Sequence, residues 1–130
     1  DIYPRAADTF FSRDAHRSRL RELLQGRGYK KVGLYPNGGF SNLIIKLCGE
    51  IFEVPEFEWV LLNSDPKMWG QQADGYTIHA PGEIPSLALD AILVCTYKFD
   101  KDIQESLRVY EREGIQVERL HRELEMAWVF

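Results

Sequence analysis

The chain has 130 residues, of which 45% are hydrophobic and 28% charged, with a formal net charge of −4. That length suits one domain with a buried core, and the acid excess removes any general attraction for nucleic acid or an anionic membrane. No apolar run approaches the ~20 residues that span a bilayer, so neither partner is expected. Charge is uneven: residues 1–31 carry eight Lys/Arg against four acids, and the remainder eight against sixteen. The first part is basic and the body acidic.

Residues 1–11, with Pro4, read as a lead-in arm anchored by Phe10 and Phe11. Ser12 suits an N-cap, and residues 13–25 then place Leu20, Leu23 and Leu24 on one stripe among arginines, stopping at Gly26 and Gly28. A first strand follows over 29–35. The turn Pro36-Asn37-Gly38-Gly39-Phe40-Ser41 leads into a helix over 42–52, with Leu43, Ile44, Leu47, Cys48 and Ile51 at helical spacing, which Val54-Pro55 ends. The nearly continuous apolar run 57–62 is a strand covered on both faces. Asn63-Ser64-Asp65-Pro66 turns the chain, 67–75 is a loop, and 76–80 a short strand. Beyond the breakers Pro81-Gly82 and Ile84-Pro85 comes a brief helical turn over 86–89, then the strand 91–96, the most apolar and therefore central. Asp100 is expected to cap a helix over 101–113 that turns Ile103, Leu107 and Tyr110 inward and stops at Gly114. The last strand covers 115–120. Residues 121–130, ending Trp128-Val129-Phe130, suit a short helix or an edge segment.

Alternation of strands and helices implies parallel pairing through right-handed crossovers. The expected order is 3-2-1-4-5, which gathers residues 36–41, 63–66 and 96–99 at the carboxyl ends of the strands, where such sheets bind ligands. The glycine pair lets an anion approach the main chain at a positive helix end. A plain strand-to-helix turn capped by Ser41 or Asn42 is the competing reading. Lys98 can meet a phosphate and Tyr97 can stack on a ring, or the loop's aromatic simply closes the core. Asp65 can hold a sugar hydroxyl or just shape a Ser-Asp-Pro turn. The histidines His16, His79 and His121 fall on separate elements, and no nucleophile elbow, P-loop lysine or Cys-x-x-Cys motif occurs. Cys48 and Cys95 each lie in an apolar run, as reduced buried thiols do, which points to a cytoplasmic setting. A chain opening on Asp1 is expected to be processed, trimmed or excised from something longer.

The strand and glycine pair at 32–39, the strand ending in Asn63-Ser64-Asp65-Pro66, the Gly75-Tyr76-Thr77-Ile78 to Pro81 step, Asp90-Ala91-Ile92-Leu93-Val94 and the helix before Gly114-Ile115 occur together in order. In this the chain resembles the Rossmann-like nucleotide-sugar-binding domains beside catalytic domains in sugar acyltransferases and sugar methyltransferases. The likeness covers about ninety residues, from 30 to 120. It implies an α/β, three-layer, open and mainly parallel sheet of about five strands, with an extra N-terminal helix. The domain would span 30–120, preceded by an arm and basic helix over 1–29 and followed by an extension over 121–130, all in one globular unit. The resemblance implies a nucleotide or nucleotide-sugar held by Asn37, Gly38, Gly39, Phe40, Ser41, Asn63, Asp65, Thr96, Tyr97 and Lys98, without catalysis by this chain itself.

The family turn usually reads Tyr-Gly-x-Gly-Gly-x-Gly; here Pro36 replaces the first glycine and Ser41 the last, and Asn63 stands where an acid usually holds ribose hydroxyls. NAD(P) binding in the usual geometry is therefore disfavoured, which leaves a nicotinamide-dependent oxidoreductase fragment as the weaker alternative. The other alternative is a noncatalytic interaction or oligomerisation module with a degenerate ligand site. Met68-Trp69 and the terminal Trp128-Val129-Phe130 are then apolar patches for another domain or subunit.

Overall fold

In a computed structural model, the described backbone covers residues 6–120 except Tyr97, and the described side chains cover 15–120 except Leu47 and Tyr97. The expectations for Phe10, Phe11, Tyr97, His121 and the segment 121–130 lie outside these described residues.

Among the described residues, six strands form one sheet: β1 (Lys31–Tyr35), β2 (Glu58–Leu62), β3 (Gln72–Ala73), β4 (Tyr76–His79), β5 (Ala91–Val94) and β6 (Gln116–Arg119). The spatial order is β3-β4-β2-β1-β5-β6. All neighbours run parallel except β3 and β4. The five parallel strands thus stand in the expected 3-2-1-4-5 order, and β3 adds a sixth at the edge. In register, Val32 lies opposite Trp59 on one side and Ala91 on the other.

Because successive strand side chains point to opposite faces, the apolar runs of β1, β2 and β5 feed two cores. On one face Val32, Leu34, Trp59, Leu61, Ala91 and Leu93 pack against Leu20 and Leu24 of α1 (Ala6–Gly26), Ile44 and Ile45 of α2 (Gly39–Leu47), and Ile51 and Phe52 of α3 (Gly49–Glu53). On the other face Val60, Leu62, Ile92, Val94 and Val117 meet Ile84 and Leu89, Leu107, and the half-buried Ile103 of α4 (Asp100–Ser106) and Tyr110 of α5 (Arg108–Glu111). This is the three-layer arrangement. At the amino edge of the sheet, Asp90 pins the start of β1 by accepting the amides of Lys30 (2.8 Å) and Lys31 (2.9 Å). Arg27, just past α1, pairs with the buried Glu118 of β6.

Several element boundaries differ from expectation. Helix α1 begins at Ala6, so the supposed arm is helical from there and Ser12 lies inside the helix, not at its cap. Nothing from Ala6 to Phe11 breaks a helix, and an interior serine costs only a few tenths of a kcal/mol. The next helix starts at Gly39, three residues early, and divides at Cys48, whose φ of −111° and ψ of 25° interrupt it before α3. The loop expected over 67–75 contains a short 3₁₀ turn (Pro66–Met68) and β3. The pair Asp74-Gly75, both at positive φ, closes a tight hairpin onto β4, as Asp-Gly turns do.

The turn expected over 86–89 is a 3₁₀ helix at Pro81–Ser86. Pro81 occupies its first position, where the missing N–H is no loss, and Glu83 caps it by accepting the Ala80 amide at 2.7 Å. Asp100 is not the cap of its helix: Phe99 holds that position, and Asp100 takes an ion pair from Arg119 at 3.2 Å, both side chains being 11% exposed. The segment over 101–113 divides at Leu107, which buries its side chain while α4 gives way to α5. Gly114, at φ 90°, ends it as expected.

Candidate functional site

Strand β1 delivers the chain to the carboxyl end of the sheet at Tyr35, and a cis peptide bond joins Tyr35 to Pro36. The Asn37 amide then donates to the Leu62 carbonyl at 2.7 Å, tying the turn to the end of β2. Asn37 and Ser41 are both buried. The Ser41 hydroxyl oxygen accepts the Gly38 amide at 2.8 Å and lies 3.0 Å from both Asn37 Oδ1 and the Gly38 carbonyl. A hydroxyl has a single proton, and here it is engaged inside the turn. At the half-buried Gly38 and the exposed Gly39 the turn presents main chain outward.

Neither Gly38 nor Gly39 has a left-handed conformation: Gly38 is extended at φ 179° and Gly39 is the first residue of α2. A Cβ built on either meets no atom within 4 Å. Gly33 of β1 is different, because a Cβ there would lie 3.0 Å from Leu62 Cδ1 and 3.1 Å from Leu89 Cδ1. Packing explains Gly33; Gly38 stands at the N-cap of α2, a position that suits glycine, whereas neither packing nor a left-handed backbone explains Gly39. The first-turn amides of α2 have no carbonyl within the helix to donate to, and that turn contains no acidic residue to offset its positive end.

Asn63 connects the turn to the loop after β2. Its side-chain amide donates to the Asn37 carbonyl at 2.9 Å, its Oδ1 accepts the Asp65 amide at 2.8 Å, and its own carbonyl accepts the Trp69 indole N–H at 2.6 Å. Its main-chain amide donates to the His79 carbonyl at 3.1 Å, reaching β4. Asp65 is exposed; one carboxylate oxygen accepts the Lys67 amide at 3.0 Å, and the other keeps its acceptor capacity. On the opposite flank, the Cys95 amide donates to the Tyr35 carbonyl at 2.8 Å. Thr96 follows half-buried, and Lys98 is exposed with its ammonium 5.7 Å from the centre of the Phe99 ring.

Of the residues singled out from sequence, Asn37, Gly38, Ser41 and Asn63 share one hydrogen-bonded cluster, and Asp65 joins it through Asn63. Gly39 and Phe40 open the helix beside it. Thr96 and Lys98 stand on the far flank of the same strand ends, and Tyr97 lies outside the described residues. Trp69, read from sequence only as part of a patch for another domain or subunit, is anchored to this cluster by its indole; Met68 beside it is half-buried against the core. The signal in the sequence is the position of Trp69, seven residues beyond the end of a strand.

Elsewhere, His16 is buried on α1, where desolvation and then the nearby Arg19 lower its pKa. Burial pushes the Cys48 thiol up to about 12, and that of Cys95 is raised as well.

No family profile matches this chain, and no curated protein matches its sequence. Solved structures do resemble it. One is the UDP-D-quinovosamine 4-dehydrogenase of Vibrio fischeri, with a TM-score of 0.52 and 18% identity over 68% of this chain and 75% of that one. Another is a chorismate mutase/shikimate 5-dehydrogenase fusion protein of Clostridium acetobutylicum, with a TM-score of 0.50 and 14% identity over 88% of this chain and 54% of that one. At these identities the likeness concerns the fold, which is Rossmann-like. Among the described residues, no helix is long and apolar enough to cross a membrane.

Proposed function

We propose that this chain is a ligand-positioning domain that binds a nucleotide or nucleotide-sugar across the carboxyl ends of β1, β2 and β5, without catalysis of its own, beside a catalytic domain or subunit of a sugar-modifying protein. The observation that carries this reading is the Gly38-Gly39 pair, whose missing side chains face open space at the end of α2. Neither packing nor a left-handed backbone requires two consecutive glycines there, and close approach of a phosphate to the main chain accounts for the pair. In this reading Gly38, Gly39 and Phe40 cradle the phosphate, Asp65 takes a sugar hydroxyl, and Lys98 approaches the charge from the β5 flank with Thr96 and Tyr97. Asn37, Ser41 and Asn63 hold the cradle in shape.

The fold neighbours support a nucleotide-type ligand, since one of them is named for a UDP-sugar and both for dehydrogenase activity. Asn63 stands where a carboxylate ordinarily holds the ribose of NAD, and its side chain is already engaged by the Asn37 carbonyl and the Asp65 amide. That favours a nucleotide or nucleotide-sugar over NAD(P). Exposed Phe99 and Val109, at 56% and 54%, favour a second reading as an interaction module.

Thermal-shift measurements with UDP-sugars, CMP, AMP, NAD and NADP separate these readings. A ligand at 100 times its Kd adds ~2.7 kcal/mol of stability, so a binder raises the midpoint in a concentration-dependent way. No shift with any of them removes the ligand-binding reading and leaves the interaction module.

A further inference from the structure

Three large apolar side chains stand exposed among the described residues: Trp69 at 42%, Phe99 at 56% and Val109 at 54%. Two of the three, Trp69 and Phe99, follow the carboxyl end of a parallel strand. Trp69 differs from the other two in being held by a polar contact. The only polar atom of its side chain, the indole nitrogen, donates to the Asn63 carbonyl at 2.6 Å, which ties the ring to the residue that follows β2 while much of it remains open to solvent. An exposed tryptophan anchored in this way offers an aromatic surface whose ordering cost has been met before any ligand arrives.

The neighbours of that surface follow a chemical order. Asn63 touches the glycine turn through its side-chain amide, Asp65 through its side-chain oxygen and Trp69 through its main chain. One residue therefore joins an anion-accepting turn, a carboxylate with a spare acceptor and an aromatic platform. Phosphate, sugar hydroxyl and base are the three parts of a nucleotide, linked in that order. We infer that Trp69 is the stacking platform for the nucleobase of a ligand whose phosphate lies at Gly38 and Gly39. The inference rests on the proposed ligand site and adds what that site recognises: a base held by its face, with little dependence on its hydrogen-bonding edge, since every base has a π-face.

The test is calorimetric titration of the wild-type chain, Trp69→Ala and Trp69→Phe with AMP, UMP and ribose 5-phosphate. Trp69→Ala is expected to weaken AMP and UMP by roughly tenfold, with Trp69→Phe, which keeps a ring but loses the indole donor to Asn63, recovering part of the loss. Ribose 5-phosphate, which has no base, should bind all three proteins alike. Equal weakening of ribose 5-phosphate would make Trp69 a support for Asn63 only, and unchanged binding of AMP and UMP by Trp69→Ala would leave it no role; either result overturns the inference while the ligand site stands. If the wild-type chain binds none of the three, the ligand site and the inference fall together.

Discussion

The side-chain amide of Asn63 donates to the main-chain carbonyl of Asn37 at 2.9 Å, joining the loop after β2 to the turn after β1. Parallel strands pair side by side but do not fix the loops that leave them, so this bond and the Asn37 amide to the Leu62 carbonyl hold the turn after β1 against the end of β2. Replacing Asn63 by Ala removes a donor to a partly buried carbonyl and an acceptor for the Asp65 amide, and is expected to cost ~1–3 kcal/mol. Asn63→Asp should do no better, because a carboxylate cannot donate to that carbonyl and repels it. Urea unfolding midpoints check both variants; wild-type stability in Asn63→Ala would mean that the bond does not organise the turn.

Two glycines six residues apart, Gly33 and Gly39, should respond differently to substitution. A Cβ on Gly33 crowds Leu62 and Leu89, so Gly33→Val is expected to destabilise by ~1–3 kcal/mol through overpacking. Gly39→Ala meets nothing and should fold with stability equal to or slightly above wild type. In the ligand-binding account its methyl group nonetheless obstructs the phosphate, so stability and binding should separate in this one variant. Chemical denaturation paired with ligand titration reads both quantities.

Much of this architecture was legible in the residues, for physical reasons. Consecutive apolar residues at 91–94 require cover on both faces, and the alternating elements then allow few sheet orders. What escaped was local. Asp74-Gly75 is a hairpin signal set inside a run of loop character, and α2 begins at Gly39 because the hydroxyl of Ser41 accepts the Gly38 amide, a local cap that the glycine pair masks. Asp100 looked like a cap because capping is a nearest-neighbour property; its partner Arg119 is nineteen residues away. Within the site, the glycine pair and Asn63 could be found from the strand ends, whereas the role of Asn63 as a connector depends on contacts with 37, 65 and 69 together.

The Asp100–Arg119 pair joins the start of α4 to the end of β6 with both side chains 11% exposed. Asp100→Ala leaves a guanidinium in a largely desolvated place without this carboxylate, for an expected loss of about 3 kcal/mol. Replacing both residues together should recover part of that loss, and a double-mutant cycle measures the coupling. Additive single effects would show that the pair contributes nothing beyond its separate members.

Glu83 accepts the Ala80 amide and lies 3.3 Å from His79, and the amide first and His79 second lower its pKa. A carboxylate with a depressed folded pKa contributes stability that is present above its unfolded value, about 4.3, and lost as pH falls through the folded one. Glu83→Gln keeps an acceptor for the Ala80 amide but removes the titration, so the variant should show a shallower loss of stability below about pH 4. The side chain is exposed, which limits the effect to ~1 kcal/mol. Thermal midpoints from pH 3 to 7 provide the comparison, and parallel curves would contradict it.

Burial holds the Cys48 thiol at about 12 and raises that of Cys95 too, so neither forms thiolate near neutrality. Both cysteines are expected to resist a disulfide reagent at pH 8 in the native protein and to react together in guanidinium. Rapid labelling of the folded chain would contradict their place in the core.

The central claim, that the turn after β1 is a nucleotide site, is tested most directly by amide chemical shifts in a nitrogen-15 labelled sample titrated with a UDP-sugar and with AMP. The account predicts saturable shifts concentrated on Gly38, Gly39, Phe40 and Ser41, extending to Asn63, Asp65 and the Trp69 indole and to Thr96 and Lys98, with the amino edge around Asp90 unmoved. Absence of any shift at millimolar ligand, or saturable shifts confined to the exposed face of α4 and α5, would contradict it.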